Sequence, residues 1–478
     1  MKRKSASPRP VRARGTKAGR KALWAGGYRS GPGKALAKIS ISHPFDRRLA
    51  AQDLAGSLAH ARGLHRAGLL SRKDLAAIEA GLADIGGEIA EGSFRFEDTD
   101  EDVHMNVERR LSALSGEAGG RIHAGRSRND QVALDLRLWT MAAIDRARVA
   151  IDALSLALVE RAEDWLEKGI VVAARTHLRA AQPILLSHAL LAYVEMLRRD
   201  ADRLADCRRR AAISPLGSGA CAGTTLPIDR SAVAESLGLP AITENSLDAV
   251  SDRDFAAEFA FAAALAMVHL SRLAEDLILW TGEEFRVLRL PESATTGSSM
   301  MPQKKNPDSL ELVRGKTGRA AGSLVSLLTT LKGLPLSYNR DLQETQEPLF
   351  AAADTLELSL AAMTEVVTGL TPRPARERAE IDAAALSTDV AEELVRRGAP
   401  FREAHGRVAR WIRRAAQENT DFREVAAADE PKLATFLRRL TPEASVRARD
   451  LPGGTAPERV RERIRELRKV LRPARSAR

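Results

Sequence analysis

Cysteine and aromatic residues are both scarce in this 478-residue chain: there are two cysteines, Cys207 and Cys221, and aromatics make up 4%. Two isolated thiols provide neither a disulfide framework nor metal-ligand spacing, so a reduced, cytoplasmic protein without a metal site is expected. The longest apolar stretch, near Phe261–Leu270, is far too short to span a bilayer. No charged, then apolar, then small-residue pattern opens the chain, which argues against a secretory signal. Acid is missing from the first 45 residues; the first carboxylate is Asp46. The 12 basic residues from Lys2 to Lys38 therefore account for all of the +11 net charge and leave the remainder at −1. That distribution assigns the charge to a Pro-, Ser- and Gly-rich leader expected to be unfolded, and argues against nucleic-acid binding by the body. Strand-like alternation long enough to build a sheet is absent as well.

Helix formers fill the space the aromatics leave. Ala, Leu, Arg and Glu are prominent, and 44% of the chain is hydrophobic, which favours helices. Short helices are expected from Asp46 to Glu117, with Ser71 as an N-cap before Leu75. One apolar stripe runs Phe255, Phe259, Ala262, Ala266, Leu270, Leu273, Leu277, Trp280, the spacing of one buried helical face. A second runs Leu191, Val194, Leu197, Ala201, Leu204 along a helix expected to begin at Pro183. Such stripes signify core packing in a helical bundle and carry no chemistry. After Pro372 the helices shorten and turn Arg- and Glu-rich. Gly453-Gly454-Thr455 reads as a turn and N-cap for a last helix from Pro457. The expected organisation is a leader over 1–36, an N-terminal helical domain over 37–129, a central long-helix domain over 130–371 and a small helical domain over 372–478.

Three segments depart from bundle patterning. They are Gly125-Arg126-Ser127-Arg128-Asn129-Asp130, then Thr176-His177 shortly before Gln182-Pro183, then Gly297-Ser298-Ser299-Met300-Met301-Pro302-Gln303-Lys304-Lys305-Asn306-Pro307. Each is expected at a helix N-terminus, with Asn306 as N-cap and Pro307 as the first helical residue of the third. Unpaired N–H groups and the dipole favour anions at such places. With Arg126, Arg128, Lys304 and Lys305 added, a small molecule bearing carboxylates is the fitting ligand. Either of the first two segments alone reads more readily as surface decoration or a capped histidine. The third is too long and unusual for that reading. A helix from Asp130 to about Glu163 would be on the order of 50 Å long. If the next helix returns antiparallel, the first two segments cannot share a site within one chain. Composite sites in an oligomer follow.

At these segments the sequence resembles the fumarase/aspartase superfamily, whose signature is a Gly-Ser-Ser-x-x-Met-Pro-x-Lys-x-Asn-Pro loop. The Gln303-Lys304-Lys305-Asn306-Pro307-Asp308 version resembles the argininosuccinate lyase family and its delta crystallin relatives. Further matching stretches are Asp102–Glu108, Leu216–Ala220, Asn245–Asp248, Leu331–Glu344, Thr388-Asp389 and Pro400–His405, so the likeness runs from about Leu23 to Leu471. The resemblance implies an all-α, three-domain fold whose long central helices form a 20-helix core in a homotetramer. It implies β-elimination of argininosuccinate to arginine and fumarate, through an aci-carboxylate, without a cofactor and without a membrane.

The same resemblance gives residues roles. Ser298 matches the catalytic serine, and His177 the catalytic histidine with Glu311 as its partner; either serine or histidine is the base, and Ser298 is favoured here. Lys304 and Asn306 match holders of the carboxylate on which charge builds. Ser42, Asn129, Thr176, Tyr338 and Gln343 match substrate-binding positions, to which Arg126 and Arg128 are added for their charge. Two places depart from the pattern. Gln346 stands where most relatives have lysine, and Leu178-Arg179-Ala180-Ala181-Gln182 replaces Leu-Gln-Arg-Ala-Gln. They leave the substrate open to another fumarate-releasing lyase reaction, such as an adenylosuccinate-type one, and a non-catalytic crystallin-like role is the rival from a different class. The Gln-Lys-Lys triplet and the retained His177, Ser298, Lys304 and Glu311 argue against both.

Overall fold

The computed structural model describes residues 33–471; residues 1–32 of the expected basic leader lie outside them. Two compact units divide the chain after Ala124. The first holds α1 (Lys34–Ser40), α2 (His43–Asp46), α3 (Ala50–Arg66), α4 (Arg72–Ala90), α5 (Val103–Ser115) and α6 (Glu117–Gly120). Ser71 is the N-cap of α4, as its sequence suggests, and forms a reciprocal capping box with Asp74 that satisfies two otherwise unpaired donors. Asp102 caps α5 by accepting the Met105 N–H at 2.7 Å. Leu64, Ile78, Ile85 and Leu111 are sealed between α3, α4 and α5.

The second unit is built on five long helices: α7 (Arg128–Glu167), α8 (Leu186–Ala211), α11 (Asp254–Thr281), α12 (Asp308–Leu331) and α13 (Gln346–Gly369). Between α8 and α11 lie α9 (Arg230–Ser236) and α10 (Ser246–Ser251). The stripe read in α11 is the buried face of that helix: Phe255 to Leu277 are at most 2% exposed, while Trp280 is half-buried. Truncating Phe259, 0% exposed, to alanine would cost about 3–5 kcal/mol. By length and composition α11 could cross a membrane, which corrects the expectation of no such stretch; here it packs among α7, α8, α12 and α13.

Directions within the bundle follow from side-chain contacts. Arg137, early in α7, donates to the Arg210 and Ala211 carbonyls at the end of α8, both at 3.2 Å. At the opposite end the Leu186 N–H reaches the Ile170 carbonyl at 2.9 Å, so α7 and α8 are antiparallel. Thr317 of α12 donates to the Met267 carbonyl of α11 at 3.2 Å, and Arg314 pairs with Glu275, so these two are antiparallel also. Trp139 lies 4.5 Å from Phe350 between ring centroids, and Arg146 reaches Glu357 at 3.1 Å. Helix α13 therefore runs parallel to α7.

The remaining helices are α14 (Ser387–Arg396), α15 (Phe401–Glu418), α16 (Phe422–Asp429), α17 (Ala434–Arg439), α18 (Pro442–Ala448) and α19 (Pro457–Val470). Leu386, Val390, Val408, Trp411, Phe422 and Leu437 belong to a buried cluster of their own. Helix α19 leaves it and packs on α7, where Arg468 pairs with Glu163.

The sequence suggests no strand-like alternation long enough to build a sheet, but eight short strands occur among the described residues. An antiparallel hairpin joins β1 (Val171–Thr176) to β2 (Arg179–Leu185). Two-residue ladders pair β3 (Ile213–Ser214) with β4 (Ala241–Ile242), β5 (Leu288–Arg289) with β8 (Thr371–Pro372), and β6 (Thr296–Gly297) with β7 (Lys305–Asn306). Helix α8 accordingly begins at Leu186 and not at Pro183, which lies in β2 opposite Ala173. The cap reading at Thr455 is corrected similarly. Ala456 holds the N-cap position of α19, and the Thr455 hydroxyl instead accepts the Leu185 N–H at 2.9 Å.

Candidate functional site

The first segment opens α7. Ser127 is its N-cap, and the Ser127 N–H returns to Asp130 Oδ1 at 2.9 Å in a capping box. Arg126 is 7% exposed. Arg128 donates to Gln131 Oε1 at 2.8 Å, and Asn129 Nδ2 to the Ala220 carbonyl at 3.0 Å. Because α13 runs parallel to α7, its first residue, Gln346, lies at this same end of the bundle. Gln343 and Gln346 are both buried, and among the described residues Gln346 Oε1 has no hydrogen-bond partner. Arg253, 1% exposed at the start of α11, donates to the Asp252 carbonyl at 2.7 Å. Burial pushes its pKa down to about 10, against the opposing pull of Tyr338 and Asp252.

The second segment is the tip of the β1–β2 hairpin, not a helix N-terminus. His177 and Leu178 form its two-residue turn, with φ of +53° and +58°. That geometry is favoured by glycine and asparagine and costs a leucine about 1–3 kcal/mol. Thr176, His177, Leu178 and Arg179 are exposed. Arg175 anchors the tip from behind: its guanidinium sits 4.0 Å from the Phe285 ring centroid. The turn thus projects an imidazole into solvent from a braced stem.

The third segment connects β6 to β7 and feeds α12. Ser298 Oγ accepts the N–H groups of Met300 at 3.2 Å and Met301 at 3.0 Å. The Ser298 N–H reaches the Lys304 carbonyl at 3.3 Å and closes the loop. Lys304 is exposed, and its ammonium has no partner among the described residues. Lys305 is held by Glu292 at 2.6 Å, which keeps the Glu292 carboxyl below its usual range. Asn306 does not cap α12. It pairs with Thr296 in the β6–β7 ladder, Pro307 occupies the cap position without a side-chain bond, and the helix starts at Asp308.

Helix α7 separates these groups. From Asn129 to Glu167 it covers on the order of 55 Å at ~1.5 Å per residue. The hairpin follows its far end. The Ser298 loop is at that far end too, because α12 starts beside the C-terminal half of α11. The expected His177–Glu311 pair is not made within a protomer. Glu311 lies 3.9 Å from Arg314, and no hydrogen bond or ion pair joins it to His177 among the described residues. Ser42, in the first unit, is 3% exposed and donates to Asp46 Oδ2 at 2.6 Å. Burial lifts the Asp46 carboxyl to about 6, against the opposing effects of His104 and the Ser42 bond.

Sequence reading missed two residues at the α7 end. Asp130 accepts N–H groups from Gly217 at 3.1 Å and Gly219 at 2.9 Å, and Arg230 donates to the Leu216 carbonyl at 2.7 Å. The Ser127-x-x-Asp130 spacing is a signal that could have revealed the cap; nothing local signals the bond across 87 residues.

Residues 30–322 match the lyase family model, and residues 384–447 match the argininosuccinate lyase C-terminal model. The chain is 48% identical to the argininosuccinate lyase of Nitrosomonas europaea, over 94% of this chain and 99% of that one. It is 51% identical to the argininosuccinate lyase of Frankia casuarinae, over 94% and 98%. Among solved structures it is similar to EDDS lyase in complex with formate, with TM-score 0.79, 31% identity, and coverage of 91% and 88%.

Proposed function

The chain belongs to the argininosuccinate lyase family, and from that premise we propose that it splits argininosuccinate into arginine and fumarate at sites that several copies of the chain build together. The observation that carries the reading is the placement of the matched residues: the Arg126–Asn129 group stands at one end of a 40-residue helix, and the His177 and Ser298 segments at the other. Residues so far apart serve one small substrate only when a neighbouring chain brings its far end alongside. Exposed apolar side chains on the long helices support packing of further copies. They are Phe261 and Val268 on α11, Leu312, Val325 and Leu328 on α12, and Leu358 on α13. The assembly is a homotetramer in this reading. The free thiols, one buried and one half-buried, suit a reducing compartment, the cytoplasm.

In the proposed reaction Ser298 Oγ removes the proton from the carbon next to a substrate carboxylate. The electron pair moves into that carboxylate and gives an aci-carboxylate, held by Lys304 and Asn306. Its collapse breaks the bond to the guanidino nitrogen. That nitrogen takes a proton from the acid, His177, charged by Glu311 of another copy. The two backbone N–H groups on Ser298 Oγ favour its alkoxide form, which an isolated serine hydroxyl does not reach. The unpartnered Lys304 ammonium leaves a cation available for the carboxylate. Arg126, Arg128, Asn129, Tyr338, Gln343 and Gln346, with Ser42 and Thr176, form the binding set.

The test is fumarate absorbance on mixing purified protein with argininosuccinate, beside a parallel assay for arginine. Equal release of both is expected. No release from a folded tetramer would overturn the reading, and release of fumarate from adenylosuccinate alone would move the chain to the rival activity.

A further inference from the structure

The carboxylate of Asp130 is 0% exposed and takes three backbone N–H groups, from Ser127 on one oxygen and from Gly217 and Gly219 on the other. Two of those donors belong to a turn that only glycine permits. Gly217 has φ +89°, and a Cβ there would lie 2.7 Å from the Arg230 side chain; Gly219 has φ +59°, and its Cβ would lie 2.7 Å from the Gly223 carbonyl. The turn is thus rotated so that its alternate N–H groups, those of Gly217 and Gly219, converge on one anion, while the Ser218 N–H between them turns to the Pro215 carbonyl at 3.1 Å. Its carbonyl side is gripped by a cation: Arg230 donates to Leu216 at 2.7 Å and to the Thr243 carbonyl at 3.1 Å. One residue beyond Gly219, the Ala220 carbonyl receives Asn129 Nδ2. That bond engages one of the two Nδ2 hydrogens with the turn, fixes the plane of the amide and leaves Oδ1, an acceptor, for any ligand.

We propose that Asp130 is a positioning residue, whose carboxylate fixes the Leu216–Ala220 turn and, through the Ala220 carbonyl, orients the Asn129 amide to offer its oxygen to an N–H donor on the substrate. The inference rests on the reading that Asn129 contacts substrate. It goes beyond that reading in naming what sets the contact and which chemical group Asn129 Oδ1 accepts, an ammonium or guanidinium N–H. The groups facing Asp130 are Arg126 and Arg230, both cationic, so the carboxylate works as an anion between two charges. Burial lifts its pKa to about 6, so protons compete with the turn in mildly acid solution.

The experiment is a cycle on the full-length tetramer with argininosuccinate as substrate: D130N, N129A and the double variant. An amide at 130 turns a donor toward N–H groups that need an acceptor. D130N is expected to raise KM ten-fold or more, with kcat held within about three-fold and the unfolding midpoint lowered. In the N129A background the same change is expected to add less than two-fold to KM. A KM unchanged by D130N, or full additivity of the two changes, overturns the proposal even where the wild type turns over normally. A wild type without turnover refutes the functional reading instead. Gly219→Ala displaces the donor and leaves the carboxylate, and serves if D130N does not assemble. The wild type gives a reading of its own: KM should climb as pH falls through about 6 while KM in N129A stays level, and a flat wild-type KM would count against Asp130.

Discussion

The Met301 N–H points at Ser298 Oγ across 3.0 Å, with the Met300 N–H on the same oxygen at 3.2 Å. A hydroxyl that already accepts two donors gains more from losing its proton than one in water, because both bonds strengthen with charge on the oxygen. The loop therefore suits the role proposed for Ser298 as the base.

Ser298→Ala should lower kcat by ~10²–10⁴-fold, the range for a positioned proton-transfer group. Fold stability and oligomeric state should change little, because the side chain is half-buried in a loop. Steady-state kinetics beside size-exclusion chromatography reads both, and near-normal turnover would remove Ser298 from the reaction.

Chains carrying His177→Asn and chains carrying Ser298→Ala should each be inactive and should recover part of the activity when mixed. On the proposed reading, the separation along α7 requires a complete site to draw on more than one copy. Recovery is measured after dissociation and reassembly of differently tagged chains. Proven mixed tetramers without activity would count against shared sites.

Leu178→Gly should raise the denaturant midpoint. Leucine at φ +58° holds about 1–3 kcal/mol of strain, and glycine relieves it while giving back up to ~1 kcal/mol in chain entropy. A net gain of about 1 kcal/mol is expected. A lower midpoint would indicate that the leucine side chain contributes more than the turn costs.

Asp46 makes stability depend on acidity. Its folded pKa, about 6, stands above the ordinary 3.8 because burial disfavours the charge. The folded state therefore holds its proton where the unfolded chain has lost it. Stability from this group is fully present below pH 3.8 and is lost as pH rises to about 6, a change of about 3 kcal/mol at most. Asp46→Asn should flatten that slope between pH 4 and 6 and stabilise the protein at pH 7.5. Parallel urea titrations of both proteins would reveal an unchanged slope, which would contradict the account.

Much of this architecture is written in neighbouring residues. The stripe from Phe255 to Leu277 buries as its spacing demands, and Ser71 and Ser127 cap the helices that follow them. Periodicity and capping act within one or two helical turns, so a short window of sequence contains all their information. Family likeness marked His177, Ser298 and Asn129 by the same local signals. Other features had no local signal. The His177-Leu178 turn carries neither glycine nor asparagine, so its positive φ values are imposed by β1–β2 pairing, the Arg175–Phe285 stack and the Thr455–Leu185 bond across 270 residues. Asn306 went to a strand because pairing with Thr296 satisfied its backbone before α12 could begin. Asp130 reads as half of a capping box, and only the approach of Gly217 and Gly219 makes it a clamp. Local patterning placed the long helices and marked the candidate site residues. The tertiary structure alone decided that those residues stand at opposite ends of a rigid 40-residue helix, because the direction of α8 and the reach of the hairpin depend on contacts between residues remote in the chain.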